Sequence, residues 1–523
     1  CELAAPVIRA WCAEASEQPR LAALLAGAAH AARRARDGRQ AIVHGEGHAE
    51  PMEAGQILGR PPQPYVAFAA TADGGLVVER GGFGGRPAWM RREPRFSLVS
   101  TDLAWLVATS RALGLATTLD PERLAAECVL DAGAVGRSAT VYREIEELPP
   151  ATRARISPGR ASFEPLALPR VDADLEGRDV VEALRARLAT ALDRAASGVT
   201  HLAVLTGGGL DSGALLALAS ARAARVDALA ISFASEGDDR PHLEALARAL
   251  GIAPLRVGPS DAELPRDLTA AALPLTWPTG AVEALLMRRA REAGASRVLS
   301  GLGADEWFDG DPGAAALWPR LRRQVPWRIR RLARRRSRAR IPAWAGARAR
   351  RALVATHERA LAERPWSERS ADERVRAGFV DPHLARASTL RAQLEALSGV
   401  LRIDPYLDAQ LAAFALALRP RALLGTGPRA IRRGLLREAL AGALLDSVRL
   451  RPDKASFAPA HRALFAPPHL ATLRPLASVP RLADLGIIEP RAFARAFASA
   501  TAGGDVDARL YSVLAVEAFL RSW

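Results

Sequence analysis

The 523-residue sequence contains no asparagine, and only one lysine, Lys454, stands against 71 arginines. No chemistry that rests on an asparagine carboxamide can be carried by this chain. Its cysteines are three, Cys1, Cys12 and Cys128, an odd number without paired spacing. That usage excludes a disulfide framework or a cysteine zinc site and fits a reducing cytoplasm. No uninterrupted apolar run approaches the ~20 residues of a membrane-spanning helix, so no membrane partner is expected. The first twenty residues lack the basic-then-apolar layout of a secretory signal. The nine histidines form no HExxH motif, so no structural metal is predicted. The lysine scarcity carries information. Arginine is a planar fork and lysine a compact charge on a flexible stem, so a chain this rich in arginine keeps a lysine where only an ammonium fits.

What is present reads as a globular protein. Hydrophobic residues make up 49% and charged residues 25%, over enough length for two or three domains. The formal net charge is +15, and much of the excess sits between Arg320 and Arg351. A run like that binds polyanions by releasing counterions, or is a solvated face. It carries no recognition motif of a nucleic-acid module, and no nucleic-acid partner is expected.

Residues 1–170 hold short β-like segments, YVAFAA, GGLVVER and FSLVS, separated by turn residues. From about 175 the texture changes. Helical spacing in GRDVVEALRARLATALDRAA leads to the strand THLAVLT. Strands VDALAISF, PLRVG and SRVLS then alternate with the helices SGALLALASARAA, RPHLEALARALGI and AVEALLMRRAREAG. Such alternation predicts an α/β fold with a doubly wound parallel sheet. Beyond 380 the pattern is mostly helical. The boundary falls within 168–179, dividing the chain into 1–170 and 171–523.

Two glycine turns follow strands of that sheet. In HLAVLTGGGLDSGALL, residues 201–216, Gly207, Gly208 and Gly209 let the backbone approach a ligand and direct N–H groups at it, with a helix N-terminus behind. This cradles phosphate, yet it is neither a Walker loop nor a GxGxxG fingerprint. Asp211 in such a turn repels phosphate unless a cation bridges them, so it reads as a Mg²⁺ ligand or as a plain helix cap. The acidic pair Asp238 and Asp239, ahead of Arg240, reads first as a helix cap and second as a contact to ATP or an amine.

These residues carry a family resemblance. GGGLDS, 207–212, resembles the pyrophosphate-binding loop SGGxDS of N-type ATP pyrophosphatases, with Gly207 in place of the first Ser. SGLGADEWFDG, from Ser300, resembles the SGxGxDExFxG segment of asparagine synthetase and its relatives. RLRPDKASF resembles that family's Arg-x-Lys-x-x-Phe region, with Lys454 on the catalytic lysine. GLVVERGGFGGRPAWM (75–90) and YREIEELPPATRARI (142–156) resemble elements of its glutaminase domain, and IDPYLDAQL (403–411) and GLLREAL (434–440) elements of its synthetase domain. The resemblance implies a degenerate glutaminase-like (Ntn-type) α+β domain over 1–170. An ATP-pyrophosphatase synthetase domain with a helical C-terminal part would follow over 171–523. It implies ATP and Mg²⁺ as cofactors, the metal on Asp211 and Asp305, and Lys454, Asp211 and Asp305 as the catalytic set. Leu205, Gly207, Gly208, Gly209, Asp211, Ser212, Ile231, Ser300, Gly301 and Lys454 would hold the nucleotide.

The departures narrow the expectation. Cys1 is followed by Glu2 and Leu3 where the family has Gly-Ile, and no asparagine exists for an oxyanion hole, so glutamine hydrolysis is expected to be lost. Leu302 stands where asparagine synthetases resemble a Glu and β-lactam synthetases a Tyr, and leucine does no general-base work. That combination is most similar to the lasso peptide cyclases. The implied reaction adenylates a side-chain carboxylate of a precursor peptide and closes a macrolactam with its N-terminal amine. A leader-binding protein and a leader protease would be further partners. The alternative is an asparagine synthetase-like or β-lactam synthetase-like ligase acting on a small molecule. Asp404, Tyr406 and Asp408 either line the acceptor pocket or serve packing and turn formation.

Overall fold

A computed structural model describes residues 8–18, 21, 31–34, 40–45, 65–129, 140–169, 171, 178–232, 239–309, 340–362, 369–426, 431–451, 458–467, 469–504 and 506–523. Alternation along the strands builds the first half. In β1 (Ile8–Ala13), Trp11 and Ala13 enter one core cluster and Ala10 and Cys12 another, as the two-residue period of a strand requires. With β2 (Ala31–Arg34) and β3 (Gln40–Gly45) it belongs to a six-stranded antiparallel sheet. A second, four-stranded sheet begins with β4 (Val66–Ala70) and β5 (Leu76–Arg80). The first continues through β6 (Trp89–Glu93), β7 (Phe96–Ser100) and β8 (Ile145–Glu147), and β9 (Thr152–Ser157) and β10 (Arg160–Pro165) complete the second. The orders are β2-β3-β1-β7-β6-β8 and β10-β9-β5-β4. Ala10, Cys12, Met90 and Val99 of one sheet pack on Phe68, Val78, Ala154 and Ile156 of the other. On its opposite face the larger sheet packs Trp11, Trp89 and Leu98 with two helices, Leu103–Ala112 and Pro121–Cys128.

The α+β expectation for residues 1–170 has room for helices, but periodicity does not place these two among the short β-like segments. In the first, Thr109 and Ser110 are buried beside Leu103, Leu106 and Val107, which blurs its apolar period. Its start is marked instead by a cap, the Asp102 carboxylate accepting from Trp105 N at 3.0 Å.

The second half holds the parallel sheet: β11 (His201–Leu205), β12 (Arg225–Ile231), β13 (Leu255–Val257), β14 (Arg297–Leu299) and β15 (Leu401–Ile403), in the order β13-β12-β11-β14-β15. The sequence is apolar without alternation in β11 because both faces are covered. Leu202 and Val204 face the cluster shared with helices Arg178–Ala196 and Leu210–Ser220, and Ala203 faces that of helix Gly280–Glu292. The sheet is doubly wound as expected, except that β15 lies in the stretch read as mostly helical. Three residues between a long helix and a 3₁₀ turn leave too short a period to read. Successive connections run outward from β11 through β12 to β13, then return to β14 on the other side, so a crevice opens beyond the carboxyl ends of β11 and β14. Among the described residues no helix is long and apolar enough to cross a membrane.

The two halves interlock through the turn after β5. Phe83, at φ +50° and fully buried, stands edge-on to Trp307 (5.7 Å between centroids) and Phe379 (5.1 Å). Its N–H donates to Phe379 O at 3.1 Å. A Cβ on Gly82 would fall 2.0 Å from the Phe379 ring, so only glycine fits there. Behind the ring, Arg391 Nη2 donates to Gly84 O at 3.2 Å and Ser388 Oγ to Gly85 O at 3.0 Å. Truncating Phe83 to Ala removes a fully buried ring from between two aromatic partners. Phe83→Ala is therefore expected to cost about 3–5 kcal/mol. Chemical denaturation followed by the fluorescence of neighbouring Trp307 measures it, and a loss below about 1 kcal/mol would show that the turn does not fasten the halves together.

Candidate active site

The crevice is built by two turns in contact. After β11, Thr206 Oγ1 accepts from Gly208 N at 3.2 Å and donates to Ser212 Oγ at 3.1 Å, closing the 207–209 turn on the helix it opens. Gly209 is the N-cap of helix Leu210–Ser220, and Asp211 sits in its first turn. Asp211 is thus not the cap, and its carboxylate is directed into the crevice. The three glycines divide their duties. At Gly208, φ +94°, a Cβ would fall 2.5 Å from Leu243 N, so this residue lets the turn pack on helix Arg240–Leu250. At Gly207 and Gly209 a Cβ would meet nothing nearer than the Asp239 side chain, at 3.6 and 3.7 Å, and these two line the cavity.

After β14 comes the second turn. Ser300 N donates to Ile403 O of β15 at 3.0 Å, and Ser300 Oγ to Asp404 Oδ1 at 2.6 Å. An added Cβ on Gly301 would stand 3.5 Å from Asp211 Cβ and from Ser212 N, so the two motifs touch. They enclose a cavity of about 420 Å³, within the usual range for small-molecule sites. Leu205, Leu229, Ile231, Leu243 and Leu286 supply apolar lining, while Arg432, Arg433, Arg437 and Arg451 bring cations from one C-terminal segment.

Two carboxylates share one cation in this cavity. Arg433, nearly buried and with a left-handed backbone (φ +57°), donates from Nη1 to Asp211 Oδ2 at 2.5 Å and pairs through Nη2 with Asp305. Arg451 Nη1 pairs with Asp239 Oδ1 at 2.5 Å. Asp239 does occupy the N-cap position of helix Arg240–Leu250, but its side chain makes no capping bond, because Arg451 draws it toward the cavity. Asp404, Tyr406 and Asp408 do not line the cavity; all three are buried supports. Tyr406 OH donates to Asp211 O at 3.1 Å, and Asp408 caps helix Ala409–Ala417 and pairs with Arg194 at 2.8 Å. Burial works against the charge of Asp404, yet Arg402, Arg391 and the Ser300 hydroxyl outweigh it and hold the carboxyl below its ordinary range.

Leu205, Gly207, Gly209, Asp211, Ser212, Ile231, Ser300, Gly301 and Asp305 of the expected set therefore meet at one cavity, and Gly208 lies behind its wall. Lys454, Asp238 and Cys1 lie outside the described residues, as does 320–339 of the basic stretch. Further along that stretch, Arg348 and Arg351 pair with Glu122. Sequence reasoning missed Arg433, Arg437, Arg402 and Glu283. In a chain with 71 arginines a single arginine carries little signal.

The donor set fits Mg²⁺ and ATP. Converging carboxylate oxygens are the hard ligands Mg²⁺ takes, and two of them leave positions for water and phosphate. Among the described residues no group of three or more His, Cys, Asp or Glu is placed to hold a metal alone. Arginines at one part of the cavity and leucines at another suit a triphosphate and a base. Arg433 would compete with a Mg²⁺ ion for Asp211 and Asp305, and a unit charge about 4 Å away is worth up to about 4 kcal/mol near a protein surface. Arg433→Gln is therefore expected to tighten Mg²⁺ binding at least about tenfold in a calorimetric titration without nucleotide. Unchanged Mg²⁺ affinity would remove the two carboxylates from any metal site.

Among curated proteins none matches this chain. Residues 183–521, which contain both glycine turns, the whole parallel sheet and the arginine-bearing segment, match the asparagine synthase family model. The chain belongs to the asparagine synthase family, whose members form amide bonds with the use of ATP.

Proposed function

We propose that this protein adenylates a side-chain carboxylate of a precursor peptide and joins it to the peptide's own N-terminal amine, closing a macrolactam and releasing AMP and pyrophosphate. It would work in the cytoplasm, beside a leader-binding protein and a leader protease acting on the same peptide. Leu302 carries the reading. It lines the cavity where the family resemblance puts a Glu or a Tyr, so no base stands there for an amine arriving from solution. An amine on the same peptide as the activated carboxyl arrives at high effective concentration, which offsets that loss.

In this reading the 207–209 turn, Ser212 and the N-terminus of helix Leu210–Ser220 receive phosphate oxygens. Leu205 and Ile231 bound the base, and Ser300 and Gly301 form the facing wall. Asp211 and Asp305 hold Mg²⁺, which supplies charge neutralisation of the triphosphate when bound. Lys454 offsets negative charge as it builds on the departing pyrophosphate. Arg433, which lines the same cavity, would offer its charge to the phosphates.

The test incubates the protein with ATP, Mg²⁺ and either free aspartate or the small peptides encoded beside its gene. The expected outcome is AMP and pyrophosphate, together with a peptide lighter by one water. Pyrophosphate release with aspartate alone would favour a small-molecule amide ligase, and ADP would sink adenylation. Asp211→Ala and Asp305→Ala should each lower turnover by at least about a hundredfold. Lys454→Arg should do the same while ATP affinity stays near parental, because the arginine fork keeps the charge but not its position. Glutamine is expected to yield no glutamate.

A further inference from the structure

The site as described has no group to take the proton of the attacking amine. We propose that Glu283 does so, binding the incoming primary ammonium by charge and then accepting its proton in place of the side chain missing at 302. The assignment rests on the amide-forming reading above.

Glu283 lies in the first turn of helix Gly280–Glu292 and lines the same cavity as Leu302. Trp277 Nε1 and Thr279 Oγ1 donate to its Oε1 at 3.1 and 2.8 Å, and Arg402 Nη1 donates to Oε2 at 3.0 Å. A carboxylate has about four acceptor sites, so these three donors fix its orientation and leave capacity for one more. Two further hydrogen bonds tie it to the turn of Leu302. Arg402 Nη2 donates to Ser300 Oγ at 2.7 Å, and Leu302 N donates to the same oxygen at 3.4 Å.

Three other acidic groups of the cavity are paired with arginines of the C-terminal segment. Asp211 and Asp305 converge on Arg433, and Asp239 on Arg451. Glu306, next to Asp305, accepts from Gly303 N at 2.9 Å and lies in the field of Asp211. Around Glu283, Arg402 of β15 faces it directly. Asp404 Oδ1 stands 3.3 Å from Arg402 Nε and shares its charge. Arg256 of β13 is turned onto Glu244 at 3.1 Å, and on the packed helix Pro382–Ser398 Glu395 is closed on Arg86.

The step balances on these groups. The bound ammonium first gives one proton to the Glu283 carboxylate, which frees the nitrogen lone pair. That nitrogen attacks the acyl carbon and the C–N bond forms, the C–O bond to AMP breaks, and AMP leaves with that electron pair and takes up the second N–H proton on its phosphate.

The experiment compares parent and Glu283→Gln in Mg²⁺-ATP with the free-amine peptide that supports ATP–pyrophosphate exchange, with and without hydroxylamine. Hydroxylamine is uncharged at neutral pH and attacks without help from a base. Glu283→Gln is expected to keep exchange and hydroxamate formation within about threefold of the parent. Its amide formation should fall by about a hundredfold or more. The residual rate should climb about tenfold per pH unit up to the α-amine pKa near 8, whereas the parent rate stays flat through neutral pH. Glu283→Asp should recover part of the loss, and adding Leu302→Glu to Glu283→Gln should recover more. Equal loss of exchange, hydroxamate and amide would make Glu283 a structural residue and overturn the assignment. So would undiminished amide formation, or the same pattern from Glu306→Gln in its place. Absence of exchange in the parent would instead sink the amide-forming reading.

Discussion

The active cavity depends on one buried ion pair, Arg391 with Asp404, 2.7 Å apart and almost wholly removed from water. Two charges withdrawn from water gain little unless every remaining donor and lone pair is used. Here most of the demand is met by reaching outward on both sides, although Arg391 Nε has no partner among the described residues. Arg391 takes Gly84 O of the first half and Ser388 Oγ, and Asp404 takes Ser300 Oγ and Arg402. Ser300 opens the second glycine turn, so satisfying the pair also sets where Gly301, Leu302 and Asp305 stand. The chain of bonds runs from the first half's sheet to the floor of the site.

The fold was legible where periodicity is long. Helices such as Arg178–Ala196 and strands such as β11 and β12 repeat their pattern over enough residues to be read, and the sheet order follows from the alternation. Three-residue β15 and the helix Leu103–Ala112, with buried Thr109 and Ser110, offered no such repeat. The site was legible where chemistry demands an uncommon residue, as at Gly207, Asp211, Gly301 and Asp305. It was opaque at Arg433, Arg402 and Glu283, because their place at the cavity comes from which side chain reaches across a tertiary gap. Asp404, Tyr406 and Asp408 show the converse. Polar residues close to a motif in sequence were drawn under the floor, where they position other groups and touch no cavity.

Abundant arginine leaves a physical mark on the cavity. Arg433 spans both carboxylates at once because its fork presents N–H groups on two separate nitrogens in one plane, where a lysine would have to reach both from a single nitrogen. Its left-handed backbone angle costs of order 1 kcal/mol, sustained because Gly434 packs against Leu424 O too tightly for any Cβ. The acidic pair therefore keeps a counter-charge before any ligand enters.

The turn Gly81–Gly85 bears on how such a protein ages. Deleting the first half would bare the rings of Trp307 and Phe379 and strand the guanidinium of Arg391 without its carbonyl. Selection on the second half therefore preserves the first as a shape, whether or not the first retains any chemistry of its own. The five residues of the turn between β5 and β6 act as a plug between the two halves. A domain can thus outlive its occupation.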